Sequence, residues 1–174
     1  MNTSLQSRRG FTLVEMIIYI GLFALLSILA VNATIMVMRS FYMLRITQNI
    51  SQSATTALER MTREIRNAYS IDVANSTFNA SPGRLTLQTK DDFGALTTVE
   101  FYVDAGNQLN RRIGDADKGS LMGKGVTLTN LVFRSMTNTN SKAIKIEMTL
   151  QDSHSTIAKT VKFYDTIVLR GSIH

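Results

Sequence analysis

Between Arg9 and Arg39, Glu15 is the only side chain charged at neutral pH. A charged residue at the centre of a bilayer costs about 2.5–3.5 kcal/mol on translocon scales, and less toward an end. A carboxylate in this apolar run therefore needs hydration at headgroup depth or a specific cationic partner, and periodicity alone leaves both open. The other residues with chemical potential offer less. His154 and His174 are the only histidines. Asp152-Ser153-His154-Ser155 reads as a polar turn, and adjacency in sequence does not position a Ser-His-Asp trio. Gly114-Asp115-Ala116-Asp117-Lys118-Gly119 copies the opening of a calcium loop but lacks its third acid and terminal glutamate, so a polar loop is expected. Gly119-Ser120-Leu121-Met122-Gly123-Lys124-Gly125 misses the P-loop spacing and is given no phosphate role. Without cysteine there is no disulfide, thiol nucleophile or thiolate metal site. No catalytic, cofactor-binding or metal-binding residue is assigned, and no enzymatic activity is expected.

The element that must position Glu15 is a long apolar helix. Phe11 to Met38 is almost free of charge, and Met16 to Val31 is nearly unbroken in its apolarity. As a helix, residues 11–38 would measure about 42 Å at 1.5 Å per residue, more than the roughly 30 Å hydrocarbon core. A secretory signal peptide should be shorter, with small residues at a cleavage site beyond it. Asn32-Ala33-Thr34 fits that poorly, and the apolar character continues to Met38. A membrane span is expected. Arg8 and Arg9 flank one side, and the positive-inside preference assigns that side to the cytoplasm.

The chain of 174 residues carries a formal charge of +6, and removing residues 1–10 takes away two arginines and no acid, leaving +4. The basic residues are scattered among acids, so a solvated surface and no direct nucleic-acid contact are expected.

Gly10-Phe11-Thr12-Leu13-Val14-Glu15, preceded by a short basic leader and followed directly by an apolar helix, resembles the prepilin signal of type IV pilins and type II secretion pseudopilins. The resemblance implies cleavage after Gly10 by a prepilin peptidase, which then N-methylates Phe11. It also implies that Glu15 of one subunit neutralises the Phe11 amino group of a neighbour during assembly. The physics suits these roles: glycine lets a protease approach the backbone closely, and a carboxylate poorly solvated in the membrane gains by meeting the new cation. The expected organisation is a leader over residues 1–10, a membrane and assembly half-helix over 11–38, and an amphipathic helix with a β head over 39–174.

Beyond Arg39, Ile50, Ala54, Ala57/Leu58, Met61, Ile65 and Ala68 recur at intervals of three and four, one face of a helix. Glu59–Arg63 and Arg60–Glu64 are i,i+4 pairs on the opposite face. No Pro or Gly interrupts Leu22 to Ser70, which predicts one helix from about Phe11 to Tyr69. This stretch looks like the corresponding part of J-type minor pseudopilins and related minor pilins. Alternating acids and arginines, with no interleaved aromatics, argue against a nucleic-acid helix.

From Arg84 the period changes. Strands are predicted over Arg84–Thr89, Thr97–Val103, Gln108–Ile113, Val126–Ser135, Ala143–Leu150 and Ile157–Leu169. Turns are read at Asp91-Asp92-Phe93-Gly94 and Asp104-Ala105-Gly106-Asn107, with a glycine-rich loop from Gly114 to Gly125. The expected fold is α+β: an antiparallel sheet of about six strands packed on the distal half of the helix. Arg111-Arg112 is read as a solvated edge. A minor pilin or pseudopilin subunit of the inner membrane, its head extracytoplasmic, is the leading functional expectation. A tip-located binding module for a surface, secreted protein or DNA, and a plain single-span anchored protein, are the alternatives.

Overall fold

The computed structural model describes residues 10–91, 93–138, 141–154 and 157–169. Its element order is one helix followed by eight strands, the α+β layout expected from the change of period. Contacts divide the chain into two compact units, Met1–Phe41 and Tyr42–His174. Helix α1 (Leu13–Asn67) contributes to both.

In the first unit, α1 is long and apolar enough to cross a membrane. Among its described residues none is buried, and only Glu15 and Ser27 are half-buried. Large apolar side chains face outward on every side, as on a helix whose solvent is hydrocarbon or other helices. Three hydroxyls in the run are satisfied within the helix. Ser27, Thr34 and Ser40 donate their hydroxyls to the carbonyls of Phe23, Ala30 and Met36 at 2.8, 2.9 and 3.0 Å, which removes the cost of an unpaired hydroxyl in an apolar medium.

In the second unit, α1 buries Ile46, Ile50, Ser53, Ala54, Ala57, Met61 and Ile65. This is the expected stripe, begun one turn earlier; Leu58 only packs at its margin. Arg66 lies in the last turn, where a cation complements the helix dipole. The chain then passes into β1 (Ser70–Ile71), which opens a five-stranded antiparallel meander with β2 (Leu85–Lys90), β3 (Leu96–Val103), β4 (Leu109–Ile113) and β5 (Ala116–Ser120). Strands β6 (Thr127–Asn138), β7 (Ser141–His154) and β8 (Ile157–Val168) form a separate three-stranded sheet in that order.

The expectation of one sheet of about six strands is thus corrected to eight strands in two sheets. The six anticipated strands are present; β1 and β5 are additional. Strand β1 is only two residues long, and the Ala-Asp-Lys-Gly-Ser of β5 is exposed throughout, so neither carries an alternating apolar signal. Strand β5 exists because Gly114, at φ +54°, turns the chain back to pair Ile113 with Ala116 and Arg112 with Asp117. Asp152-Ser153-His154, read as a turn, is instead the end of β7. Pairing of Asp152 with Lys159 and His154 with Ile157 continues the hairpin outward.

Both anticipated turns form. Asp104 accepts the Gly106 and Gln108 N–H groups at 2.8 Å each, and Asn107 takes φ +56°. Asp91 likewise accepts the Phe93 and Ala95 N–H groups. Asp92 of that turn lies outside the described residues.

One core cluster joins the helix stripe to both sheets: Leu85, Leu87, Val99, Phe101 and Leu109 from one, and Leu131, Phe133, Ile144, Ile146, Met148 and Leu150 from the other. Each fully buried side chain of this size contributes about 1.5–3 kcal/mol of transfer free energy, so packing holds this cysteine-free unit together.

Arg111 departs from the solvated-edge reading. Its Nη1 donates to Glu64 Oε1 at 2.8 Å, with both side chains largely buried, and ties β4 to α1. The same oxygen lies 3.0 Å from Arg60 Nε, the expected i,i+4 pair, although that N–H is not directed at it. Glu59–Arg63 is not among the ion pairs of the described residues. Arg112 remains near the surface, donating to Glu100 at 3.0 Å and stacked 4.8 Å from the Tyr102 ring.

Candidate processing and assembly segment

The first described residues are Gly10 and Phe11, in open chain ahead of α1. A Cβ added at Gly10 would meet nothing within 4 Å. Among the described residues, then, nothing sterically requires glycine there. Phe11 is 73% exposed.

The helix begins at once because Thr12 caps it. Thr12 Oγ1 accepts the Glu15 N–H at 3.3 Å, and the Met16 N–H is donated to the Thr12 carbonyl at 3.2 Å. Thr12 is the N-cap and Glu15 the third helical residue, the spacing of a capping box. A carboxylate in the first turn also faces the positive end of the helix dipole. Glu15 thus occupies the place in a helix that best tolerates an acid, at the edge of the apolar run.

Two groups reach Glu15 and Phe11 from one turn farther on. The Tyr19 hydroxyl donates to Glu15 Oε1 at 3.2 Å. The Tyr19 ring stands edge-on to Phe11, with centroids 6.2 Å apart at 76°, an arrangement favoured by the ring quadrupoles. Among the described residues, Glu15 Oε2 has no hydrogen-bond partner. Phe11, Glu15 and Tyr19 therefore share one face, with Thr12 fixing where the helix starts. Thr12 and Tyr19 carry no weight in the sequence reading. The Thr-x-x-Glu spacing, and a phenol four residues after the acid, are the signals that would have found them. Arg8, Arg9 and the rest of the leader before Gly10 lie outside the described residues.

The other candidate groups are engaged elsewhere. His154 lies against the Tyr42 ring at 4.7 Å, and buried Asp152 accepts from Asn49 Nδ2 at 3.2 Å. His174 lies outside the described residues. Asp117 accepts the Gly119 N–H at 2.8 Å and the Tyr102 hydroxyl at 2.7 Å. Those bonds, the Gly119 one foremost, hold its carboxyl below the ordinary range, while the same contact pushes the Tyr102 phenol up. The segment read as a glycine-rich loop is a strand over Ala116–Ser120, and the part beyond it is anchored to the helix, where Gly123 N–H donates to Ser53 Oγ at 3.1 Å. Among the described residues, no group of three or more His, Cys, Asp or Glu side chains could hold a metal ion.

Residues 5–31 match the family model of the prokaryotic N-terminal methylation motif. No curated protein and no solved structure matches the chain. The matched stretch contains Gly10, Phe11, Glu15 and most of the exposed apolar half-helix, and it supports a type IV pilin-like subunit that is cleaved and methylated. The chain carries at residues 5–31 the methylation signal of the type IV pilins and pseudopilins.

Proposed function

We propose that the chain is a minor pilin-like or pseudopilin subunit, cut between Gly10 and Phe11, methylated on Phe11, and assembled into a type II secretion pseudopilus or type IV pilus. The observation that carries this reading is the methylation motif continuous with a half-helix none of whose described apolar side chains, up to Phe41, is buried. Such a helix is stable only in lipid or among other helices. Arg8 and Arg9 hold the leader on the cytoplasmic side of the inner membrane, and the β head lies on the far side. At the cytoplasmic side, where the leader is held, a prepilin peptidase that also methylates exposes the Phe11 amine. Other pilin or pseudopilin subunits are the remaining partners, met through the N-terminal helix.

Glu15 is the docking acid in this scheme. A carboxylate in the first turn of an apolar helix meets the amine of a longitudinally shifted neighbour, and both charges are better satisfied together than alone. Glu15→Ala should leave cleavage and methylation intact while sharply lowering recovery of the chain in the sheared-filament fraction of its native host. Incorporation at the wild-type level would remove the assembly role.

A further inference from the structure

We infer that Tyr19 is a positioning residue for Glu15, holding one carboxylate oxygen so that the other is presented to a neighbouring subunit's amine. The inference rests on the assembly reading of Glu15 and deepens it. The phenol and the carboxylate are one helical turn apart, and their 3.2 Å bond occupies Oε1 alone. Oε2 is left without a hydrogen-bond partner among the described residues, and Phe11, whose ring meets that of Tyr19, is exposed.

A free glutamate side chain rotates among several staggered conformers, and ordering it on docking costs conformational entropy. A bond to Tyr19 removes part of that freedom beforehand. The Tyr19 ring itself makes an edge contact with Phe11. The hydroxyl also supplies a hydrogen bond to a carboxylate that otherwise faces hydrocarbon, where each unmet acceptor is costly. Thr12 Oγ1 takes only the backbone N–H of Glu15, so among the described residues Tyr19 is the one side chain hydrogen-bonded to the Glu15 carboxylate.

An aromatic ring near a membrane boundary can also act as a simple interfacial anchor. The two roles separate, because anchoring needs the ring and not the Glu15 carboxylate. The test is a four-chain cycle in the native host: wild type, Tyr19→Phe, Glu15→Ala, and the double variant. The full-length chain is followed by membrane level, Phe11 methylation and recovery in sheared filaments. With membrane level and methylation unchanged, Tyr19→Phe should lower recovery about tenfold, the change that follows from losing one hydrogen bond to a charged group. In the Glu15→Ala background it should produce no further loss.

Recovery of Tyr19→Phe at the wild-type level would overturn the inference. So would an equal loss in both backgrounds, which would mean that the hydroxyl acts without Glu15. If Glu15→Ala itself assembles normally, the assembly reading fails and the role of Tyr19 fails with it. If Glu15→Ala is defective and Tyr19→Phe is not, only the role of Tyr19 fails.

Discussion

The two parts of α1 share a backbone and almost nothing else. Up to Phe41, Leu22, Phe23 and Leu25 stand 53%, 73% and 64% exposed; from Tyr42 onward, Ile50, Ala57, Met61 and Ile65 are fully buried. The first part is apolar around its circumference, the second only along one stripe backed by Glu59, Arg60, Arg63 and Glu64. One regular secondary structure thus serves two solvents. What changes between them is the angular distribution of apolar side chains, since away from the helix ends the backbone groups of both parts pair within the helix.

The comparison is broken most directly by truncating one apolar side chain in each part. Ile50→Ala should cost about 2–5 kcal/mol of head stability, because a fully buried side chain leaves a cavity behind. Leu25→Ala should shift the same transition by less than about 0.5 kcal/mol. Denaturant unfolding of the full chain in detergent micelles, followed by near-ultraviolet circular dichroism of the head tyrosines, measures both. Leu25→Arg reverses the asymmetry. Membrane integration should become less favourable by about 2.5–3.5 kcal/mol, read as loss from the carbonate-resistant membrane fraction, while the head keeps its unfolding midpoint.

A smaller effect tests how the second part of α1 is tied to its sheet. Arg111→Ala leaves Glu64 with Arg60 alone and should destabilise the head by about 1–3 kcal/mol. Arg112→Ala, at the more exposed pair with Glu100, should cost less than about 1 kcal/mol. The smallest effect is in pH. Hydrogen bonds from Arg134, then Lys145, lower the Glu147 carboxyl from 4.5 to about 2. A depressed folded-state value means that the contribution of this group is complete above pH 4.5 and is lost as the pH falls toward 2. Arg134→Met should flatten the acid limb of head stability across that window and raise the Glu147 titration midpoint seen by NMR.

How much of this was legible in the sequence follows the same division. The apolar run from Phe11 and the stripe from Ile50 to Ala68 announced the helix and its two environments, because circumferential and one-sided apolarity are one-dimensional patterns. Strands β6 to β8 were legible for the same reason, through alternation such as Ile144, Ile146 and Met148. Strand β5 was not, since it is held by backbone pairing to β4 at an exposed edge and leaves no trace in side-chain polarity. Nor was the split into two sheets, which depends on long-range pairing. Arg111 read as a surface residue because its partner is 47 positions away. In the N-terminal segment, Gly10, Phe11 and Glu15 were visible as a motif, whereas Thr12 and Tyr19 emerged only once the helix was built and its first two turns could be seen side by side.

The central claim is that the exposed apolar half-helix belongs to a processed filament subunit. Intact-mass and N-terminal analysis of the chain from its native host tests it most directly. The account predicts a mature protein lacking residues 1–10 and beginning with a methylated Phe11. Recovery of an uncut chain beginning at Met1, in a host with an active prepilin peptidase, would contradict it.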